Sequence, residues 1–112
     1  MLYLKVRDDM KMTQQEQIKV LRKAYKCLYK RGLSIAIYQK LVNLSIGVYL
    51  EDLCLEAKVS QRKLGLLLGS TSGAYINQIV NGTRSMGMPK KQALAELLRL
   101  NKTEKTALYE EG

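Results

Sequence analysis

Apolar residues recur at intervals of three and four along most of the chain, which is the spacing of one face of an α-helix. The clearest case begins at Thr13, which forms a capping box with Glu16, a pattern that satisfies free backbone groups at a helix start. It ends at Gly32, a residue suited to closing a helix. The pattern predicts a helix over 13–31 with a basic stripe opposite its apolar face. The lysines of this stripe are Lys19, Lys23, Lys26 and Lys30.

The segments on either side of this helix are less regular. Residues 1–6 alternate between apolar and polar side chains, as a strand does. Residues 33–46 are apolar on several sides, and Ser34 favours a short helix as far as about Leu44, although the β-branched residues leave a strand open. Gly47 indicates a break after this segment.

The second half of the chain predicts five further short helices, the first over about 47–58. Gly69 marks a turn between the second and third of them, and Asn81-Gly82 ends the third. The apolar residues are mainly leucine, isoleucine and valine, and leucine with only one proline in the chain also favours a helical core. The predicted fold class is therefore all-α. The predicted starts of the later helices are Ser60, Thr71 or Ser72, Pro89 and Asn101.

The charge of the chain is large and unevenly distributed. Nineteen basic and ten acidic residues give a net charge of +9. Residues 1–31 hold nine basic and three acidic side chains, and residues 59–112 hold eight and four, with a nearly neutral apolar segment between them. An excess of this size favours an anionic partner, which could be nucleic acid, a membrane surface or an acidic protein, whereas solubility alone is the simpler explanation.

Several classes of protein are disfavoured by what the sequence lacks. Cys27 and Cys54 lie in apolar helical patterns, and with no secretory signal they predict buried free thiols in a cytoplasmic protein. Without histidine, a zinc site would need carboxylates, so no metal or other cofactor is expected. No window approaches the roughly 20 apolar residues of a membrane span. No nucleophile motif, phosphate loop or carboxylate pair predicts an enzyme.

Residues 60–82 carry the strongest functional signal. Two short helices are predicted here, joined by a tight turn that contains Gly69. Amide side chains such as Asn77 and Gln78 can pair with adenine through two hydrogen bonds, and small residues such as Gly73 and Ala74 let a helix approach the bases closely. These are the requirements of a DNA recognition helix in the major groove.

The same segment resembles the λ-repressor/Cro-type helix-turn-helix family, often called XRE. Its members commonly read Ser-Gln-x-x-Leu-Ala-x-x-Leu-Gly, a turn, and then Ile-x-x-Ile-x-Asn-Gly. The resemblance covers about residues 47–110. It implies a five-helix DNA-binding domain at 47–112 and an added N-terminal helical extension at 1–46. The matching positions are Ser60, Gln61, Leu64, Gly65, Leu68, Gly69, Ile76, Ile79, Asn81 and Gly82.

The chain departs from the family pattern in three ways. The stretch from Leu68 to Ile76 is about one residue longer than usual, which affects the start of the recognition helix. Gly65 replaces the usual alanine at a tight helix crossing, which weakens its helix by roughly 0.5–1 kcal/mol. Cys54 and Lys63 occupy positions where many members carry an arginine and a glutamate that pair.

The resemblance also implies individual roles in binding DNA. Gln61 contacts backbone phosphate and orients the recognition helix, which Ser72 helps to begin. Tyr75 either stacks on the sugar-phosphate backbone or packs on the core. The base-facing positions are Gly73, Ala74, Asn77 and Gln78. The residues after the recognition helix that contact phosphates are Thr83, Arg84 and Lys90.

These expectations lead to a sequence-specific transcriptional regulator, a repressor of phage, plasmid or bacterial type that binds double-stranded DNA as a homodimer. Residues 1–46 are expected to contribute to the dimer. One alternative is the antitoxin of a toxin–antitoxin pair, in which those residues hold the toxin. Another is a protein-interaction module on the same fold. The basic stripe of helix 13–31 is open to three interpretations: a solvated face, extra contact with the DNA backbone, or a membrane surface.

Overall fold

Seven α-helices occupy the residues described by a computed structural model of the chain, 12–42 and 46–110. No strand lies within those ranges, so the predicted all-α class is confirmed for them. The strand-like segment 1–6 and the predicted helix end at Leu44 lie outside the described residues. The helices are α1 (Gln14–Lys30), α2 (Ile35–Val42), α3 (Ile46–Ala57), α4 (Gln61–Leu67), α5 (Tyr75–Val80), α6 (Met88–Leu98) and α7 (Lys102–Glu110).

The local signals for the N-terminal helices are confirmed. The Thr13 hydroxyl accepts from the Glu16 amide at 3.1 Å, and the Glu16 carboxylate accepts from the Thr13 amide at 2.9 Å, which completes the capping box of α1. Gly32 has φ +79° just after this helix. The Ser34 hydroxyl accepts from the Ile37 amide at 3.3 Å, so the predicted cap of α2 is also present.

Gly47 is not at a break between helices, as the sequence suggested. It lies in the first turn of α3, where it is buried against the end of α5. A Cβ atom built on Gly47 would be 2.8 Å from the Val80 Cα and 2.9 Å from the Ile79 carbonyl carbon. The absence of a side chain thus lets two helix backbones touch, which is a requirement of tertiary packing that no local pattern reveals.

A single apolar cluster joins the N-terminal helix to the C-terminal helices. α1 packs against α3 and α6, α3 also packs against α5, and α2 packs against α7. Cys54 is buried as expected, and this burial raises the pKa of its thiol to about 12, whereas Cys27 is only half-buried. The most deeply buried apolar side chains are Leu21, Ile35, Tyr49, Leu50, Leu53, Leu64, Ile76, Leu94 and Leu108.

Polar side chains reinforce the same long-range packing. The Arg22 guanidinium donates to the Leu97 carbonyl at 2.7 Å, where the carbonyls at the end of α6 lack helical partners. The Glu104 carboxylate of α7 accepts from the Ile35 amide at 2.7 Å and thereby caps the start of α2. Glu104 is only 1% exposed. These bonds therefore tie the two N-terminal helices to the two C-terminal helices.

Candidate nucleic-acid interface

α4 and α5 form the two-helix unit that the sequence predicted at residues 60–82. The Ser60 hydroxyl accepts from the Lys63 amide at 3.1 Å, as expected of the cap of α4. Gly69 has φ +89° in the turn, and Gly82 has φ +77° just after α5. Both glycines therefore adopt the left-handed backbone conformation that side chains disfavour. The two helices pack against each other, and α5 also packs on α3.

The start of α5 differs from the prediction. Ser72 does not cap this helix, because its hydroxyl accepts from the Ala74 amide at 3.2 Å within the turn. The cap position is Ala74, which has no side-chain hydrogen bond, and the helix begins at Tyr75. Gly73 and Ala74 are exposed residues of the turn rather than part of the helix. α5 therefore begins later than the sequence predicted.

Tyr75 packs on the core, which was one of its two predicted roles. Only 3% of the residue is exposed, and burial raises the pKa of its hydroxyl. The Arg84 guanidinium carbon lies 4.8 Å from the centroid of the Tyr75 ring, a distance suited to a cation–π contact. Tyr75 therefore anchors the first turn of α5 and helps to position Arg84 on the surface.

Three amide side chains form a connected row across α4 and α5. The Asn77 amide nitrogen donates to the Gln61 side-chain oxygen at 3.3 Å, and the Asn81 amide nitrogen donates to the Asn77 side-chain oxygen at 3.0 Å. Asn77 and Asn81 are exposed, and Gln61 is half-buried. The row fixes the orientation of the Asn77 amide, which retains one free N–H and one free oxygen lone pair.

The end of α5 holds a second group of predicted residues together. The Arg84 guanidinium donates to the Gln78 side-chain oxygen at 3.2 Å. The Thr83 hydroxyl donates to the Gln78 carbonyl at 3.2 Å. These contacts keep the charged end of Arg84 next to α5, while both Thr83 and Arg84 stay exposed.

Two further cations border the turn between the helices. The Lys90 ammonium lies 4.0 Å from the position of a Cβ atom built on Gly69. Arg62, which the sequence analysis did not select, lies on the other side, with its Cδ and Nε atoms 3.5 Å from a Cβ atom built on Gly73. The sequence signal for Arg62 was its place directly after Gln61, but only the folded turn brings it to Gly73.

The stretch of sequence that contains α4 and α5 carries basic but no acidic residues. Residues 57–95 contain no aspartate or glutamate. This local excess of positive charge along the sequence favours an anionic partner. The basic residues in this range are Lys58, Arg62, Lys63, Arg84, Lys90 and Lys91.

The lysine stripe of α1 forms a separate basic surface. All four of its lysines are exposed, on the side of the helix opposite Leu21 and Leu28. In the described ranges, no helix has both the length and the apolar character needed to cross a membrane. The chain thus presents basic residues both on α1 and around the turn before α5.

Comparisons with protein-family models, with curated proteins and with solved structures find no match. The resemblance to the λ-repressor/Cro-type family is consequently carried by the motif residues alone.

Proposed function

We propose that this protein is a sequence-specific double-stranded DNA-binding transcriptional regulator, and that α5 enters the major groove. In this proposal residues 47–112 form a λ-repressor-like five-helix domain, in which α4 lies across the DNA backbone and α5 reads the bases. The observation that carries the proposal is that the exposed Asn77 amide on α5 is held in one orientation by hydrogen bonds to its neighbours.

Asn77 has the hydrogen-bonding groups that adenine requires. Adenine presents the N7 acceptor and the N6 donor side by side in the major groove. The free N–H of Asn77 suits the former, and its free lone pair suits the latter. Because Gln61 and Asn81 already hold the amide, little side-chain entropy is lost when it pairs with a base. Asn77 is therefore proposed to read an adenine.

The surrounding cations are proposed to contact phosphates. Arg84 is held by Gln78 and Tyr75 at the end of α5, and Lys90 lies beside the turn. Contacts of this kind fix the position of a protein on DNA without reading sequence. The protein is further proposed to act as a homodimer on two-fold symmetric sites, with half-sites about one helical turn apart.

Binding of the full-length protein to DNA tests this function. Fluorescence anisotropy with a random-sequence duplex should show binding at 50 mM salt that weakens sharply at 200 mM. Two phosphate contacts per subunit predict a log–log slope of about −2 for each subunit. Selection from a randomised duplex library should then return one preferred sequence containing adenine. Absence of binding at 50 mM salt would refute the proposed function.

A further inference from the structure

Gly73 lies on the surface that is proposed to face DNA. The family resemblance assigns a base-facing role to residue 73, but glycine has no side chain with which to read a base. The Arg62 side chain borders the space beside Gly73, since its Cγ, Cδ and Nε atoms lie 3.5–3.6 Å from the position of a Cβ atom built on Gly73. A side chain from α4 therefore packs beside the turn that precedes α5.

The guanidinium of Arg62 has no partner within the part of the chain that the structure describes, and the residue is exposed. Three other arginines are already bound by protein groups. Arg22 donates to a backbone carbonyl, Arg31 pairs with the Glu56 carboxylate at 2.6 Å, and Arg84 donates to Gln78. Arg62 consequently has all five N–H groups available for a ligand.

We propose that Arg62 reads a guanine of the target DNA in the major groove, in place of the side chain that Gly73 lacks. This inference rests on the proposed function, in which Asn77 reads an adenine, and adds a second base contact, to a guanine. The planar fork of arginine matches guanine O6 and N7 with two hydrogen bonds. Residues at the start of a recognition helix are those that meet base edges. Arg62 lies beside Gly73, two residues before α5 begins.

Exchange of Arg62 for lysine distinguishes a contact with guanine from a contact with phosphate. Lysine has the same charge as arginine but cannot form the two parallel hydrogen bonds of a guanidinium. A phosphate contact would accept either residue and would affect all sequences alike. A guanine contact requires arginine and affects one base pair.

The test compares R62A and R62K with the wild-type protein on the duplex that wild-type selection returns. Lys105→Ala, which removes an exposed cation from α7, is the matched control. Both Arg62 variants should bind the selected duplex about 10- to 100-fold more weakly and lose preference at one G·C pair. The control should bind within about twofold of wild type, because α7 packs on α2 and α6 rather than on the α4–α5 unit.

Three results would overturn the assignment of Arg62. They are wild-type affinity in R62K, equal weakening of R62A on all duplexes, and wild-type binding by both variants. In each of these cases the wild-type protein still binds DNA specifically, so the proposed function stands. Failure of the wild-type protein to bind any duplex would overturn the proposed function itself. Because Arg62 is exposed, thermal unfolding of R62A should match wild type and exclude misfolding as the cause.

Discussion

Replacement of Glu104 with alanine should lower the free energy of unfolding by about 3 kcal/mol. The variant would leave the amides of Ile35 and Ala36 without the carboxylate that accepts from them at 2.7 and 3.4 Å. Ile35 is 1% exposed, so water cannot easily replace the lost acceptor. An unsatisfied buried donor costs about 1–3 kcal/mol, and the cavity left by the side chain adds to this.

Urea unfolding followed by circular dichroism measures this loss. Glu104→Gln should lose about 1 kcal/mol, because the amide oxygen still accepts but without a charge. Glu110→Ala, an exposed acidic position on the same helix, should stay within about 0.5 kcal/mol of wild type. If Glu104→Ala were as stable as Glu110→Ala, the cap between α7 and α2 would not contribute to folding.

Replacement of Gly47 with alanine should lower the free energy of unfolding by about 2 kcal/mol. The new methyl group would overlap the backbone of Ile79 and Val80, so α3 and α5 would have to move apart. Overpacking of a core typically costs about 1–3 kcal/mol, and backbone atoms yield less readily than side chains. The displacement of α5 should also weaken DNA binding.

Gly65→Ala is the matched comparison, and it should raise the free energy of unfolding rather than lower it. A Cβ atom built on Gly65 would meet the Ile76 Cγ1 atom at 3.5 Å, which is ordinary van der Waals contact. Alanine also loses less backbone entropy than glycine in a helix, so the variant should gain about 0.5–1 kcal/mol. Thermal unfolding of the two variants beside wild type measures both. If Gly65→Ala were destabilised, or if Gly47→Ala were as stable as wild type, the packing described around that glycine would be contradicted.

Local sequence signals were sufficient for most of the helices. The capping box at Thr13, the cap at Ser34 and the glycines after α1 and α5 act within a few residues of where they lie. Hydrogen bonds between such near neighbours depend little on the rest of the fold, so they can be predicted from the sequence.

Contacts between distant residues were not visible in the sequence. Glu104 and Ile35 are 69 positions apart, and no pattern within α7 indicates that one of its carboxylates is buried. Gly47 looked like a break because a glycine at a helix crossing has the same local signal as a glycine at a turn. Such features depend on which helices meet, which the periodicity of each helix does not determine.

The two helices within residues 60–82 could be predicted from the sequence, but the contacts between their side chains could not. The amides of Gln61 and Asn77 were selected, but their hydrogen bond depends on the packing of α4 against α5. Because α5 begins at Tyr75, Gly73 lies in the turn before the helix, where Arg62 packs beside it.

The central claim is that Asn77 on α5 reads DNA, and binding by Asn77→Ala tests it most directly. Gln92→Ala, which removes an exposed amide from α6, is the control. Anisotropy titration of the selected duplex at fixed salt should give Asn77→Ala about 10- to 100-fold weaker affinity, and Gln92→Ala the affinity of wild type. Equal affinity of Asn77→Ala and Gln92→Ala for that duplex would contradict the account.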